Sequence, residues 1–365
     1  MNIKQTIKKE LQQRSHWYFY VRGRNSFSQN DLKGKEPNIK QKLDSNDIVK
    51  INALWDRKLN KKGYRWFELY KTIWPSSELK YFVPDDFYYK FIDEFFAKRK
   101  ECKIIDDKNL YDLLLHDVAQ PKTIARSIDG VLTTSAFNPI SHGQFIELCN
   151  AEGRVIIKQS VDSEGGKGVV FYDSEKEGNE KLFFCLKLKN FVVQKVIQQH
   201  SELAKLHPQS INTVRIMTLF FENKVHVLST VVRMGVGDSK VDNASSGGIV
   251  CGVNDDGSLK NRAFDVKANQ YDVHPSGVHF ESVTVPNFEE CKSLCIKLAT
   301  RFIQFSRLIS WDFAIGTDGH PILIEANLSY GQIDFHQMCN GPIFGQMSEK
   351  VLKYVFDNNP LIKYK

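Results

Sequence analysis

Hydrophobic residues in the first part of the chain recur at helical spacing. Asp44 can cap a first helix, whose apolar positions begin at Val49. A second helix is predicted after Pro84, with an apolar stripe of Phe87, Phe91, Ile92, Phe95 and Phe96. No alternation of strands and helices typical of a Rossmann domain occurs there. The pattern therefore predicts a mainly helical region over residues 1–100.

Beyond residue 100, short apolar runs with strand-like spacing replace the helical pattern. Residues 154–158 and 169–172 are predicted strands that flank a glycine-rich segment, and another strand is predicted at 191–193. The second half contains predicted hairpin strands at 213–221 and 225–233. Asn287 can cap a long helix that carries Cys291 and Cys295 on its apolar side, so both cysteines are interpreted as core residues. We expect an α+β fold with domains at 1–100, 101–198 and 199–365.

Composition narrows the class of protein. The chain has 365 residues, of which 42% are hydrophobic and 25% charged, as in ordinary globular proteins. The seven cysteines form no CxxC pair, which argues against a disulfide framework or a cysteine zinc site. No apolar run approaches the roughly 18 residues of a membrane helix, and the N-terminus lacks the apolar stretch of a secretory signal. We expect a cytoplasmic protein without a transmembrane segment.

The net charge of +7 indicates the kind of ligand only weakly. Basic clusters near aromatic residues are compatible with a nucleic-acid surface, but solvated helix faces explain so small an excess better. We therefore expect no nucleic-acid partner. A site for anionic small molecules requires the same sign of charge.

The most informative segment is a predicted hairpin over residues 311–327. Asp318-Gly319 predicts a two-residue type I′ turn, with positive φ at both positions. That turn places Asp312 directly opposite Glu325. Strand alternation then predicts an apolar face of Trp311, Phe313, Ile315, Ile322, Ile324 and Ala326. The other face carries Asp312, Ala314, Leu323, Glu325 and Asn327.

Two carboxylates directly opposite each other repel, so their arrangement needs an explanation. A divalent cation would supply one, because two carboxylates and an amide are hard oxygen ligands suited to Mg²⁺. The alternative is that one acid points to solvent. Since Asn327 shares the face and the hairpin has no Lys or Arg opposite the acids, we favour a metal site at Asp312, Glu325 and Asn327.

Several polar residues near the predicted strands could bind phosphate. The segment 163–168 is followed by a strand, so it fits a mobile flap over phosphates better than a P-loop; a simple turn is the alternative. Lys158 could reach a nucleotide phosphate or lie at a sheet edge, and Lys108 has the same two interpretations. Arg215 and Arg233 lie within apolar strands and need an anionic partner, either a phosphate or a structural acid.

A polar loop between predicted strands is suited to binding a substrate, although a plain connection is the alternative. Its candidate residues are Asp242, Asn243, Gly247 and Gly248.

Taken in order, these segments resemble an ATP-grasp domain, and more narrowly the sugar-transfer-associated ATP-grasp family found with bacterial surface-polysaccharide genes. The resemblance extends from Tyr81 to Asp357. It rests on residues 81–86, 107–109, 155–158 with the glycine segment, 207–215, 242–248 and 311–327.

The resemblance implies two α+β subdomains that grip ATP, with Mg²⁺ on the hairpin over residues 311–327, which we call the acid hairpin. Lys108 and Lys158 would contact ATP, and Glu202 would hold the ribose. The flap over the phosphates would comprise Ser163, Gly165, Gly166, Lys167 and Gly168. The adenine hinge would comprise Gln194, Lys195, Val196 and Ile197. Many ATP-grasp hinges carry a glutamate, from which Gln194-Lys195 departs.

The resemblance also implies an activity. Similar enzymes phosphorylate a carboxylate to an acyl phosphate, which an amine then attacks; here Arg215 and Arg233 would neutralise the reacting charges. We expect a small-molecule acid and amine, one of them a sugar acid or amino acid related to a surface glycan. The alternatives are a kinase that phosphorylates a hydroxyl and a non-catalytic nucleotide-binding scaffold that docks on glycan-assembly partners.

Overall fold

The computed structural model describes residues 28, 30–56, 58–59, 62–102, 105–161 and 168–363. The chain forms two compact units. One comprises Met1–Ala97, Phe264–Gln270 and Gln332–Lys365, and the other Lys98–Ala263 and Tyr271–Gly331. In the described part of the chain, every helix is too short or too polar to cross a bilayer.

The first unit is helical in its described part. Residues 30–35 are helical, and its other α-helices are Ser45–Trp55, Gly63–Ile73, Asp85–Phe87, Asp93–Phe96, Asp334–Asn340, Ser348–Asn358 and Pro360–Lys363. The helix predicted after Asp44 is confirmed, since the Asp44 carboxylate accepts a hydrogen bond from the N–H of Asp47. Val49, however, is 66% exposed and does not belong to the apolar face. The predicted second helix is present, with a π-helical turn at Tyr88–Ile92 inside it.

The second unit contains most of the β-structure, in two sheets. The first sheet has the order β2-β1-β5-β3-β4. Its strands are β1 (Thr123–Ile128), β2 (Val131–Thr134), β3 (Arg154–Gln159), β4 (Val170–Asp173) and β5 (Phe191–Lys195). Helices His142–Glu152 and Glu180–Cys185 belong to the same region. One face of the sheet forms a core that includes Val155, Ile157, Phe191 and Val193.

The second sheet has the order β10-β9-β8-β7-β6-β11-β12, with each strand from β6 to β8 and the β11–β12 hairpin antiparallel to its neighbour. Its strands are β6 (Thr213–Phe221), β7 (Lys224–Met234), β8 (Ile249–Val253), β9 (Leu259–Phe264), β10 (Gln270–Tyr271), β11 (Leu308–Ile315) and β12 (Pro321–Asn327). Its longest helix is Phe288–Phe302; the others in this unit are Arg99–Cys102, Tyr111–Leu114 and Ser201–Ala204.

The predicted core role of Cys291 and Cys295 is confirmed, because both are fully buried in the cluster beneath the second sheet. The helix begins directly after Asn287, at the predicted cap position, but the expected side-chain cap is absent. Asn287 has a left-handed backbone and makes no side-chain cap; its Nδ2 instead donates to the carbonyl of Gly319 at 3.1 Å. All seven cysteines are buried and lie outside any disulfide.

Candidate active site

A row of charged residues crosses three neighbouring strands of the second sheet. Asp312 on β11 pairs with Arg215 on β6 and with Glu325 on β12, so their side chains share one face. The intervening residues Trp311 and Phe313 point to the opposite face and are fully buried in the core. Alternation along the strands thus places the row on the face of the sheet opposite this core.

The register of the acid hairpin differs from the prediction in two compensating ways. Gly316 N–H donates to His320 O at 2.9 Å, so the loop has three residues instead of two. Gly319 has φ 85°, whereas Asp318 does not have positive φ, and the predicted type I′ turn is therefore wrong. A bulge between Asp312 and Phe313 then leaves Ile324 without an opposite residue and shifts the register back by one.

The pairing of Asp312 with Glu325 is confirmed, but the predicted faces of β12 near the turn are wrong. Phe313 pairs with Leu323, and Leu323 is fully buried in the core. Ile322 pairs with Ala314 on the acid face and is only partly buried. The physical reason is the bulge, which reverses the facing of the residues between it and the turn.

Asp312 is the centre of an ion-pair network. Arg215 donates from Nε at 2.7 Å and from Nη2 at 2.6 Å to its two oxygens, and Arg233 Nη1 lies 3.5 Å away. The hairpin itself has no Lys or Arg opposite the acids, as expected, but the sequence analysis missed that cations from two other strands and a turn pair with them. Burial opposes ionisation of Asp312, but the charge and hydrogen bonds of Arg215 outweigh it and hold its pKa below the usual range.

Glu325 is paired with Lys108 from another part of the unit, at 2.8 Å between Oε1 and Nζ. Lys108 begins a short 3₁₀ turn, Lys108–Leu110, which Asp107 caps by accepting the N–H of Asn109. The Tyr111 hydroxyl accepts the N–H of Ala326 at 3.2 Å, directly next to Glu325 in β12. Tyr111 thus ties the Lys108 turn to the acid hairpin, a role that sequence reasoning missed.

Arg126 on β1 is a second residue that sequence reasoning missed. It is fully buried, forms an ion pair with Asp112 and donates from Nη1 to the carbonyl of Asn109 at 2.6 Å. This support holds the turn that follows Lys108. The sequence could have indicated Arg126, because this arginine lies among apolar strand residues as Arg215 does.

Lys158 on β3 lies opposite Val192 and shares a sheet face with Gln194, away from the core residues Ile157 and Val193. Desolvation lowers its pKa to about 8; the charge of Glu325 opposes this shift and that of Lys108 adds to it. The structure therefore brings Lys158 into the electrostatic surroundings of the Lys108–Glu325 pair.

Arg233 connects the charged row to the candidate substrate loop. Its Nη2 donates to Asn243 Oδ1 at 2.7 Å and lies 3.7 Å from Asp242 Oδ1. A Cβ on Gly248 would lie 2.7 Å from the carbonyl oxygens of Asp242 and Met234, so the chain can close there only with glycine. Gly247 has φ 92° at the end of the 3₁₀ turn Ala244–Ser246. Both glycines shape the loop.

The residues at the acid hairpin fit the chemistry of a magnesium ion. Asp312, Glu325 and Asn327 supply two carboxylates and one amide oxygen on the same face, and hard oxygen ligands are those that Mg²⁺ prefers. Asn327 Nδ2 donates weakly to Ser310 O at 3.4 Å. Among the described residues, no three His, Cys, Asp or Glu side chains cluster as a metal site, so the amide is needed to complete the set.

The candidate hinge and flap residues have separate side-chain contacts, unlike the residues of the charged row, which contact one another. Gln194 is buried, whereas Lys195 Nζ pairs with Glu152 at 2.7 Å and Glu202 pairs with Lys205 at 2.6 Å. Val196 and Ile197 follow β5 and are partly buried. Of the flap, Gly168 has φ 76°, and Ser163, Gly165, Gly166 and Lys167 lie outside the described residues.

The geometry can be set beside known proteins. Residues 88–353 match the family described as sugar-transfer associated ATP-grasp. No curated protein matches the chain. Solved structures that it resembles include the biotin carboxylase domain of 2-oxoglutarate carboxylase from Hydrogenobacter thermophilus, at 14% identity and TM-score 0.44 over 71% of this chain and 47% of that one.

Two ligases from other bacteria are similarly distant. The D-alanyl-alanine synthetase A of Vibrio cholerae has 10% identity and TM-score 0.39 over 69% of this chain and 62% of that one. The L-amino acid ligase of Bacillus licheniformis has 14% identity and TM-score 0.39 over 70% and 48%. The chain thus spans about half to three-fifths of the solved structures named here.

Proposed function

The chain belongs to the sugar-transfer associated ATP-grasp family, and from that membership and the charged row we propose that it is an ATP-dependent carboxylate–amine ligase. The observation that carries the proposal is the convergence of Arg215, Asp312 and Glu325 with Lys108. In such a site the cations can bind the phosphates of a nucleotide, and the carboxylates can bind the metal ion that accompanies it. This combination is what phosphoryl transfer from ATP requires.

In the proposed reaction, a substrate carboxylate attacks the γ-phosphorus of ATP to give an acyl phosphate and ADP. Lys108 and Lys158 would bind the phosphates as cations. A magnesium ion on Asp312, Glu325 and Asn327 would neutralise phosphate charge. Arg215 would offset the charge that builds on the transferring phosphoryl group, because fixed cations in a partly desolvated site stabilise such charge without reorganising.

Arg233 would hold the substrate carboxylate and then the acyl-phosphate oxygens. Its position supports this role, since it lies between Asp312 and the loop that carries Asn243. A guanidinium can bind a carboxylate or phosphate through two parallel hydrogen bonds. An amine would then replace the phosphate, which gives an amide.

We further propose that the acid is a sugar acid or amino acid and that the amide becomes part of a bacterial surface polysaccharide or its precursor, made in the cytoplasm. The family description, which names sugar transfer, supports the glycan part of this proposal. Gln194 to Ile197 and Glu202 remain the proposed contacts for the adenine and ribose.

A hydroxylamine assay tests the ligase directly. Hydroxylamine traps an acyl phosphate as a hydroxamate, so ATP, Mg²⁺ and a panel of uronic and amino acids should give a hydroxamate and ADP. A phosphorylated product without hydroxamate would show a kinase instead. Nucleotide binding without ADP formation across the panel would show a scaffold.

We predict that Glu325→Gln lowers hydroxamate formation at least about 100-fold, since the variant loses a metal ligand and the partner of Lys108. The matched control is Glu290→Gln, a surface glutamate that pairs with His320. The control should retain activity within about twofold. Wild-type activity in Glu325→Gln, with an intact fold by circular dichroism, would remove Glu325 from the site.

A further inference from the structure

We propose that Asp242 binds the ammonium group of the amine substrate and takes its proton, which makes the amine a nucleophile beside Arg233. This inference rests on the proposed ligase function and adds to it a subsite for a cationic amine. Three features of Asp242 support it: a carboxylate oxygen without a hydrogen bond, the charges around the carboxylate, and the hydrogen bonds that hold its loop in place.

Asp242 has an unused carboxylate oxygen. Its Oδ2 is buried and accepts no hydrogen bond from any described residue, and Oδ1 lies 3.7 Å from Arg233 Nη2. A buried carboxylate oxygen without a donor is costly, so such an atom usually has a partner in the working state of a protein. The missing partner must carry N–H or O–H groups.

The charges around Asp242 favour a cationic partner once the substrates are bound. In the described residues, Arg215 holds Asp312 through two hydrogen bonds and Lys108 holds Glu325. Arg233 is the cation within 4 Å of Asp242, and its closer contact is with Asn243 at 2.7 Å. When Arg233 binds the substrate acid, the described residues offer the Asp242 carboxylate no second cation within 4 Å.

Asp242 also lies within electrostatic reach of the reacting groups. Its charge acts on both Arg215 and Lys158, the residues assigned to the phosphoryl group and to ATP. Because Asp242 Oδ1 lies 3.7 Å from Arg233 Nη2, an amine held by Asp242 would lie next to the acyl group on Arg233. Such placement is what an attack on the acyl carbon requires.

The loop that carries Asp242 is firmly held in place. The N–H of Gly248 donates to the carbonyl of Asn243, and Ser239 Oγ donates to Val241 O. The ring Nε2 of buried His207 lies 2.7 Å from Ser239 O. A fixed carboxylate suits a group that orients a substrate, because little entropy is lost when the substrate binds.

The step balances without a further reactant. The ammonium donates hydrogen bonds to Asp242 and transfers one proton to its carboxylate. The freed nitrogen lone pair attacks the acyl carbon and forms the C–N bond, and the C–O bond to phosphate breaks with its electron pair leaving on inorganic phosphate. The second proton lost from nitrogen leaves with the phosphate or water.

Comparison of two nucleophiles tests the role of Asp242. Hydroxylamine is uncharged near neutral pH and needs no proton acceptor before it attacks, whereas ethylamine is an ammonium ion. With an acid that gives a hydroxamate, the experiment measures amide formation from ethylamine and hydroxamate formation by Asp242→Asn. The control is Asp238→Asn, on an exposed part of the same loop.

We expect the ratio of amide to hydroxamate to fall at least tenfold in Asp242→Asn and to stay as in the wild type in Asp238→Asn. The deficit should shrink as the pH rises and more ethylamine is uncharged. An equal loss of both products, or no loss of either, would overturn the inference while leaving the ligase intact. Absence of hydroxamate from the wild type with every acid would instead overturn the ligase proposal, and the inference with it.

Discussion

Lys158 shows how the surroundings of a single residue set its charge. Its desolvated ammonium has a pKa of about 8, so it is still mostly protonated at neutral pH but loses its charge at mildly alkaline pH. Lys108 shares the same surroundings and is paired with Glu325. A lysine that titrates in this range gives ATP binding a pH dependence that can be measured.

We predict that ATP affinity decreases as the pH rises through about 8, by up to about tenfold per pH unit, because only the protonated Lys158 attracts phosphate. Calorimetric titration with MgATP between pH 7 and pH 9.5 measures this dependence. Lys158→Arg should bind ATP with a flatter pH profile, since a guanidinium stays charged throughout. The same steep profile in both proteins would exclude Lys158 as the titrating group.

At the scale of the element, the acid hairpin separates what the sequence can predict from what it cannot. Strand alternation and an assumed two-residue turn at Asp318-Gly319 predicted Asp312 opposite Glu325, and the structure has this pair. The three-residue loop and the bulge at Ile324 could not be predicted, because each depends on packing against the rest of the sheet. The two errors cancelled at the acids, and so the pairing was correct for an incomplete reason.

The cations of the site were harder to place than the acids. Arg215, Lys108 and Arg233 come from a neighbouring strand, a separate turn and the next strand of the sheet. A single sequence shows that these residues are strand arginines or a helix-start lysine, but their partners depend on strand order. The sequence pattern named these residues as candidates, and only the structure supplied their contacts.

The loop after β7 permits a steric test. We predict that Gly248→Ala lowers the free energy of unfolding by about 1 to 3 kcal/mol, since its Cβ would meet three backbone oxygens at 2.7 to 2.9 Å. It should also impair amide formation, because the loop carries Asp242. Gly143→Ala in helix His142–Glu152 is the control, where the nearest atom would be 3.9 Å away. Urea denaturation measures both; equal stability of the two variants would contradict the steric argument.

At the scale of the whole molecule, the α+β class, the helical N-terminal region and the family were predictable from periodicity and motif order, and the family match over residues 88–353 confirms the resemblance. The grouping of Gln332–Lys365 with the N-terminal region was not. The apolar positions of this C-terminal segment do not indicate which core they belong to. The two segments are connected by a polar cluster, which the sequence pattern does not show.

That cluster lies inside the helical unit. Lys35 Nζ lies 2.6 Å from both oxygens of Asp31 and 3.1 Å from Asp334 Oδ2. Burial, followed by the charge of Asp334, raises the pKa of Asp31 to about 6, although Lys35 opposes the shift. Burial and the charges of Asp334 and Asp31 also raise the pKa of Asp85 well above its usual range. One buried lysine thus faces more carboxylates than it can neutralise.

The sign of the pH effect follows from these shifts. Because the folded state binds the Asp31 proton more tightly than the unfolded state, its stabilising contribution is complete below pH 3.8 and is lost as the pH rises through about 6. We predict a loss of about 2 kcal/mol from this group between pH 4 and pH 7, measured by urea denaturation. Asp31→Asn should flatten that decline, whereas Asp357→Asn, at an exposed helix position, should not. If wild type and Asp31→Asn lose stability in parallel over this range, Asp31 is not the titrating group, and the pH dependence of the unit must come from another acid such as Asp85.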